Sequence, residues 1–255
     1  MHPARIAELL QPFLSVTPNP CHSEQGQRPD EEPTVLSPTQ LQHISTYIDI
    51  LFRWNARINL TAIRDPEEIV TRHFGESLFA ARHLFPTPAS QGKTEKNSSA
   101  PSAPALSKAE GCSAVKGLAR VADLGSGAGF PGVPIKLWAP NIALTLIESN
   151  HKKAAFLREV ARTLTLTDIN IQNARAEAIS QTFDVVTLRA VEHFANMLPV
   201  AARLLATTAR LALLIGSSQL SEARSSLPDL CWRDPLPIPE SKSRLLLIGT
   251  KEPRK

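Results

Sequence analysis

The sequence predicts an α/β fold: a doubly wound, mostly parallel sheet, covered by helices on both faces, with N-terminal helices and an antiparallel edge hairpin. Three observations carry this. From Ala119 onward, short apolar runs alternate with amphipathic helical patterns. The first run ends in a glycine-rich turn, Val121-Ala122-Asp123-Leu124-Gly125-Ser126-Gly127-Ala128-Gly129-Phe130-Pro131-Gly132. The last two runs, around Cys231-Trp232 and Arg244 to Thr250, have no helix between them.

The chain has 255 residues, 42% of them hydrophobic, enough for one large domain or a domain with an appendage. No apolar run approaches the roughly 20 residues of a membrane span. Met1 to Leu14 shows neither a long apolar stretch nor a small-residue cleavage site, so a cytoplasmic location without membrane partners is expected. A net charge of +4 favours an anionic partner, without the charge density of a dedicated nucleic-acid tail. Cys21, Cys112 and Cys231 lie far apart with no metal-ligand spacing, and read as incidental thiols. No metal is expected.

Taken in order, residues 1–35 divide into a short amphipathic helix, Ala4 to Leu14, and a loop rich in Pro, Ser, Glu and Gln, which reads as flexible. Residues 36–85 form a helical subdomain. Ser37-Pro38-Thr39-Gln40 is a capping box with proline at the first helical position, and Leu41, Ile44, Ile48, Leu51 and Phe52 follow at helical spacing. Asp65-Pro66-Glu67-Glu68 repeats the start signal, with Ile69, His73 or Phe74, Ser77 or Leu78, and Ala81 on the buried face. Arg53, Arg57, Arg64 and Arg72, with Trp54, form a cation-rich surface that suits RNA phosphates; a solvated helix face explains the same charges. Residues 86–117 carry Pro, Ser, Ala and Lys without apolar periodicity, as expected of a disordered insertion.

Residues 118–255 hold the sheet, with strands expected at 119–124, 143–147, 168–173, 183–188, 209–215 and 243–250. Helices follow Glu148, with Phe156, Leu157, Val160, Ala161 and Leu164 on one face, and span Phe194 to Leu205. Ligands of open α/β sheets bind at the strands' C-terminal ends, which selects the candidate site. Gly125, Gly127 and Gly129 let the backbone lie against a ligand, and Gly132 opens a helix whose free N–H groups suit an anion. The dinucleotide register Gly127-x-Gly129-x-x-Gly132 begins two residues late and contains Pro131. The register from Asp123 to Gly129 fits better. A carboxylate at Asp123 repels pyrophosphate but accepts from an ammonium, and Glu148, ending the second strand, suits ribose hydroxyls. A cofactor with an amino-acid end and an adenosine end, S-adenosylmethionine, meets both. Ala176 and Glu177 follow the third strand, beside an adenine edge. Arg189 ends the fourth, either at the rim of the site or in a salt bridge to Glu148 or Glu192.

The glycine turn with its Gly-Phe-Pro-Gly, Trp54-Asn55 through Asn59-Leu60-Thr61, Arg64-Asp65-Pro66, Arg72-His73 and Leu188-Arg189-Ala190 together resemble the bacterial 16S rRNA (guanine-N7)-methyltransferase G family, also called glucose-inhibited division protein B. The resemblance runs from about Leu36 to Lys251, apart from the insertion. It implies a Rossmann-like methyltransferase domain that methylates N7 of one guanine in small-subunit rRNA, as a monomer, with S-adenosylmethionine touching Gly125, Phe130, Ala176, Glu177 and Arg189. Two positions depart from the family pattern: Glu76, usually Asp, and Ile215 before Gly216, usually Lys. Guanine N7 carries a lone pair and no proton, so no general base and no catalytic side chain is expected; positioning carries the rate. Two readings compete: a same-fold methyltransferase acting on a small molecule or protein, and a non-catalytic RNA-binding assembly factor. The basic N-terminal helices weigh against the first. The intact Asp123, glycines and Glu148 weigh against the second.

Overall fold

The computed structural model describes residues 1–15, 36–86, 117–190 and 193–252. The loop after the first helix, the insertion at 87–116, Cys21 and Cys112 lie outside these residues. An eight-stranded sheet is built from β1 (Ala119–Leu124), β2 (Ile142–Ile147), β3 (Ile169–Gln172), β4 (Phe183–Arg189), β5 (Leu205–Gly216), β6 (Leu230–Trp232), β7 (Leu236–Pro237) and β8 (Arg244–Lys251). Its order is β3-β2-β1-β4-β5-β8-β6, with β7 also on β8. The first five strands run parallel, while β8 is antiparallel to β5 and to β6. The order in which strands are added reverses between β1 and β4, the switch point where such sheets open a ligand crevice.

Side-chain alternation along the strands separates two cores. Val121, Leu144, Leu146, Val185, Ala212 and Leu214 point to one face, packing with α1 (Pro3–Leu14), α2 (Pro38–Asn55), α5 (Gly132–Trp138) and α6 (His151–Thr163). Ala122, Leu124, Val186, Leu188, Leu213 and Ile215 point to the other, covered by α7 (Phe194–Arg203) and α8 (Leu220–Ser226). The N-terminal helices share the first core with the sheet.

Helix α2 starts as its sequence dictates: Gln40 N–H donates to Ser37 Oγ, and Ser37 N–H donates to Gln40 Oε1 at 2.7 Å. Asp65 caps the next helix in the same way, accepting from Glu68 N–H at 3.0 Å. That helix is not uniform. It runs as α3 (Pro66–Glu68), a π-helical turn (Ile69–Gly75), then α4 (Glu76–Leu84). The end of the wider turn and the start of α4 bury His73, Phe74, Gly75, Glu76, Ser77 and Leu78 in succession, so both members of each sequence alternative lie inside. Gly75 sits against the Phe13 ring of α1, where a Cβ would lie 2.6 Å from Cε2.

Candidate cofactor site

The glycine turn follows β1 at the switch point, and two of its glycines do different jobs. Gly127 holds φ 54°, and a Cβ there would meet only Gly125 O, at 3.7 Å. The space above it is open and free for a ligand. Gly129 holds φ 84°, and a Cβ there would strike Tyr47 Oη and press on Val133 and Leu157. Its lack of a side chain serves packing. Tyr47, buried on α2, donates its hydroxyl proton to Ala128 O and stacks on Phe130.

Glu148 lies under this cradle at the end of β2, almost fully buried. Its Oε2 accepts from Gly127 N–H at 2.8 Å and its Oε1 from Asn150 N–H at 2.7 Å. Carboxylate oxygens each take more than one bond, so Glu148 ties the loop and still presents lone pairs beside it.

Asp123 stands near the end of β1, behind the cradle. It is fully buried, with Oδ1 accepting from Thr187 Oγ1 at 2.8 Å and Oδ2 from Gly132 N–H at 3.2 Å. The anion at the start of α5 is therefore the chain's own carboxylate. That carboxylate forms an internal bracket holding the loop on β1 and β4. Burial pushes the Asp123 carboxyl up to about 6, against the hydrogen bonds that favour its charge.

Of the two salt-bridge partners expected for Arg189, Glu192 lies outside the described residues. Arg189 ends β4 with a side chain only 10% exposed and pairs with Glu76, 3% exposed, at 3.0 Å, and not with Glu148. Its Nη2 also donates to Arg72 O at 2.8 Å. Arg244, at the start of β8, reaches the same Glu76 oxygen at 3.1 Å. The residue that departs from the family pattern thus links α4, β4 and β8. Ile215 is buried among the apolar residues of β5.

After β3, a 3-10 turn at Ala176–Ala178 buries Ala176 and exposes Glu177. Arg203 of α7 clamps it, donating to Ile179 O at 2.8 Å and Glu177 O at 3.0 Å. Sequence reasoning missed this clamp.

A chain of contacts joins Asn55, Thr61 and His73, which all stand in the motifs quoted above. Asn55 Oδ1 accepts from Leu60 N–H at 2.8 Å and Thr61 N–H at 3.1 Å, and its amide donates to Thr61 O at 2.9 Å. Thr61 Oγ1 lies 2.8 Å from His73 Nε2. The His73 ring stacks on Phe130, centroids 4.8 Å apart, so the N-terminal helices brace the cradle from below. Phe130 is thereby buried between His73 and Tyr47. Burial, then Arg189, Arg72 and Arg244, push the His73 imidazole down to about 3, so it stays neutral.

The four basic residues named for RNA do not form one free patch. Arg53 is 67% exposed but reaches Glu159 at 3.4 Å, and Trp54 Nε1 donates to the same carboxylate at 2.9 Å. Arg72 pairs with Glu68 at 2.9 Å. Arg57 and Arg64 are exposed, with no ion pair to a described residue. Exposed pairs of this kind contribute about 0–1 kcal/mol and leave the arginines able to exchange partners. Among the described residues no helix is long and apolar enough to cross a membrane, and no group of His, Cys, Asp and Glu is placed to hold a metal.

The family model described as rRNA small subunit methyltransferase G matches residues 40–88 and 106–231. A ribosomal RNA small subunit methyltransferase G of Xylella fastidiosa (strain 9a5c) is 35% identical over 173 residues, 67% of this chain and 66% of that protein. One from Roseiflexus castenholzii is 33% identical over 229 residues, 85% of each chain.

Proposed function

Because the chain belongs to the rRNA small subunit methyltransferase G family, we propose that it transfers a methyl group from S-adenosylmethionine to N7 of a guanine in 16S rRNA. The open cradle at Gly127, with Glu148 beneath it, carries the reading. A backbone surface free of Cβ atoms at the switch point, beside a strand-end carboxylate, fits a nucleoside with a charged amino-acid tail. When bound, S-adenosylmethionine supplies an electrophilic methyl group.

The chain's residues bind and orient. Gly125 and Gly127 provide the floor, Glu148 accepts from ribose hydroxyls, and Ala176 with Glu177 borders the adenine. Phe130 and Arg189 act from behind, through the stack with His73 and the pair with Glu76. Asp123 keeps the loop in shape. N7 of guanine attacks with its own lone pair, so no group has to remove a proton. His73, held neutral, and Asp123, closed off by hydrogen bonds, are in keeping with that. Positioning the two reactants supplies the acceleration.

In this proposal residues 118–255 form the methyl-transfer unit, and 36–85 present Arg53, Arg57, Arg64 and Arg72 to RNA. The protein works as a cytoplasmic monomer on rRNA or the small subunit, where the N7 edge is exposed in a loop or during assembly. Mapping N7-methylguanine in 16S rRNA from cells with and without the gene tests it. The reading fails if the modification pattern is identical in both.

A further inference from the structure

A cleft of about 150 Å³ opens between the π-helical turn and the β7–β8 connection. Its walls include Thr71, Arg72, Glu76, Glu240, Ser241 and Arg244. The sheet sets its place. Arg244 begins β8 opposite Gly216, at the carboxyl end of β5, and Glu76 joins it to Arg189 at the end of β4, the neighbour of β1. The cleft therefore lies at the cradle's edge of the sheet, on the opposite side of the switch point from Glu148.

The cleft is built. Ile238 N–H donates to Arg244 O at 3.0 Å, Arg244 N–H to Ser241 Oγ at 3.1 Å, and Ser217 N–H to Ser243 O at 2.8 Å. Its charges are mixed: Arg72 and Arg244 bring donors, Glu240 an acceptor. Glu240 is exposed at φ 57°, and no described residue bonds to its carboxylate. A side chain in that left-handed conformation is strained by about 1 kcal/mol or more. Arg244 Nε is buried without a partner. Water satisfies the exposed Glu240 carboxylate, whereas internal partners do not account for the buried Arg244 Nε.

A site for a bare phosphate has no use for a free carboxylate at its rim. A guanine does, because it presents an amino group and an N1–H on one edge and the O6 and N7 acceptors on the other. Adenine puts a lone pair at N1, which a carboxylate repels. We propose that this cleft is the subsite for the guanine to be methylated, with Glu240 reading N1–H and the N2 amino group and the cleft arginines donating to O6. N7 takes no donor, since its lone pair must stay free to attack. The inference rests on the guanine-N7 reading and extends it to a specificity residue.

The test uses the full chain and small-subunit rRNA from cells lacking the gene. Glu240→Gln keeps the shape of the side chain and removes its charge. We expect it to lower kcat/KM for RNA about tenfold, the effect of weakening one base-edge contact. S-adenosylmethionine affinity and melting temperature should stay at their wild-type values. Unchanged kcat/KM for RNA overturns the subsite while leaving the methyl-transfer reading in place. Guanosine, inosine and adenosine 5′-monophosphates, tried as inhibitors of the wild type, should rank in that order, since inosine lacks the N2 amino group. The variant should lose the preference for guanosine over inosine. Equal inhibition by all three, or none at millimolar concentration, also overturns it. If the wild type transfers no methyl group, the function reading fails, and nucleotide binding measured by calorimetry still tests the cleft.

Discussion

Asp123 and His73 are buried ionisable residues whose pH effects oppose one another. Asp123 is raised to about 6 from 3.8, so its contribution to stability is complete below pH 3.8 and lost as pH rises through 6. His73 is lowered to about 3 from 6.5, so its contribution is complete above pH 6.5 and lost as pH falls towards 3. Each changes stability by about 1.4 kcal/mol per pH unit in its window, and the two cancel between roughly pH 4 and 6. Separating them exposes the slopes. Between pH 4.5 and 6, His73→Gln should lose about 2 kcal/mol as pH rises, and Asp123→Asn should gain about as much. Urea unfolding at the two pH values checks this, and slopes of one sign in both variants refute it. The glycines offer a second contrast. Gly127→Val should fold yet fail to bind S-adenosylmethionine in a calorimeter, because its side chain enters open space. Gly129→Val should fail to fold, since its side chain enters Tyr47, Val133 and Leu157. Cofactor binding retained in Gly127→Val removes the cradle.

The π-helical turn decides how the N-terminal helices serve the site. It aims His73 at Phe130 and hands over to α4 at Glu76, three residues on, which faces Arg189 and Arg244. Glu76 neutralises two cations in a largely buried setting, so removing it leaves both uncompensated. Glu76→Ala should cost about 3 kcal/mol. Chemical denaturation measures it, and a loss under about 1 kcal/mol would mean that the arginines find water instead. Asn55 does comparable work for the loop after α2, through three hydrogen bonds. Asn55→Ala should cost about 2 kcal/mol by leaving backbone groups unpaired. It should also lower methyl-transfer activity through Thr61 and His73. Activity equal to wild type would show that the brace does not reach the cradle.

At the scale of the whole molecule, the proposed function assigns the cofactor and the RNA backbone to different surfaces. Arg53 and Arg57 project from α2 and the loop after it, on the N-terminal side of the shared core, whereas the cradle sits at the sheet's carboxyl edge. Replacing both with Gln should therefore weaken RNA binding and flatten its salt dependence by about 0.7–0.9 unit of slope per lost phosphate contact. S-adenosylmethionine affinity should not move. Arg57, unpaired with any described residue, should carry more of the effect than Arg53, whose loss also frees Glu159. Titrating labelled rRNA fragments at several salt concentrations decides it, and an unchanged slope moves the docking surface elsewhere.

The sequence by itself determined the elements and their order. Short apolar runs, the capping residues Ser37 and Asp65 and the glycine turn act through neighbours within a few positions, so the five parallel strands, the starts of α2 and α3 and the antiparallel edge were legible, whereas the short β7 and α8 were not. The Asp123 bracket was not, because Thr187 lies 64 residues away and meets it only when β1 and β4 align. Nor was the π-helical turn, since both of its alternatives satisfied a helical period and only packing against α1 and the sheet buries them together. The Glu76 link needed three elements brought to one edge, at separations of 113 and 168 residues. Local patterning placed the cradle, and long-range closure of the sheet decided which side chains open onto it and which hold it from behind.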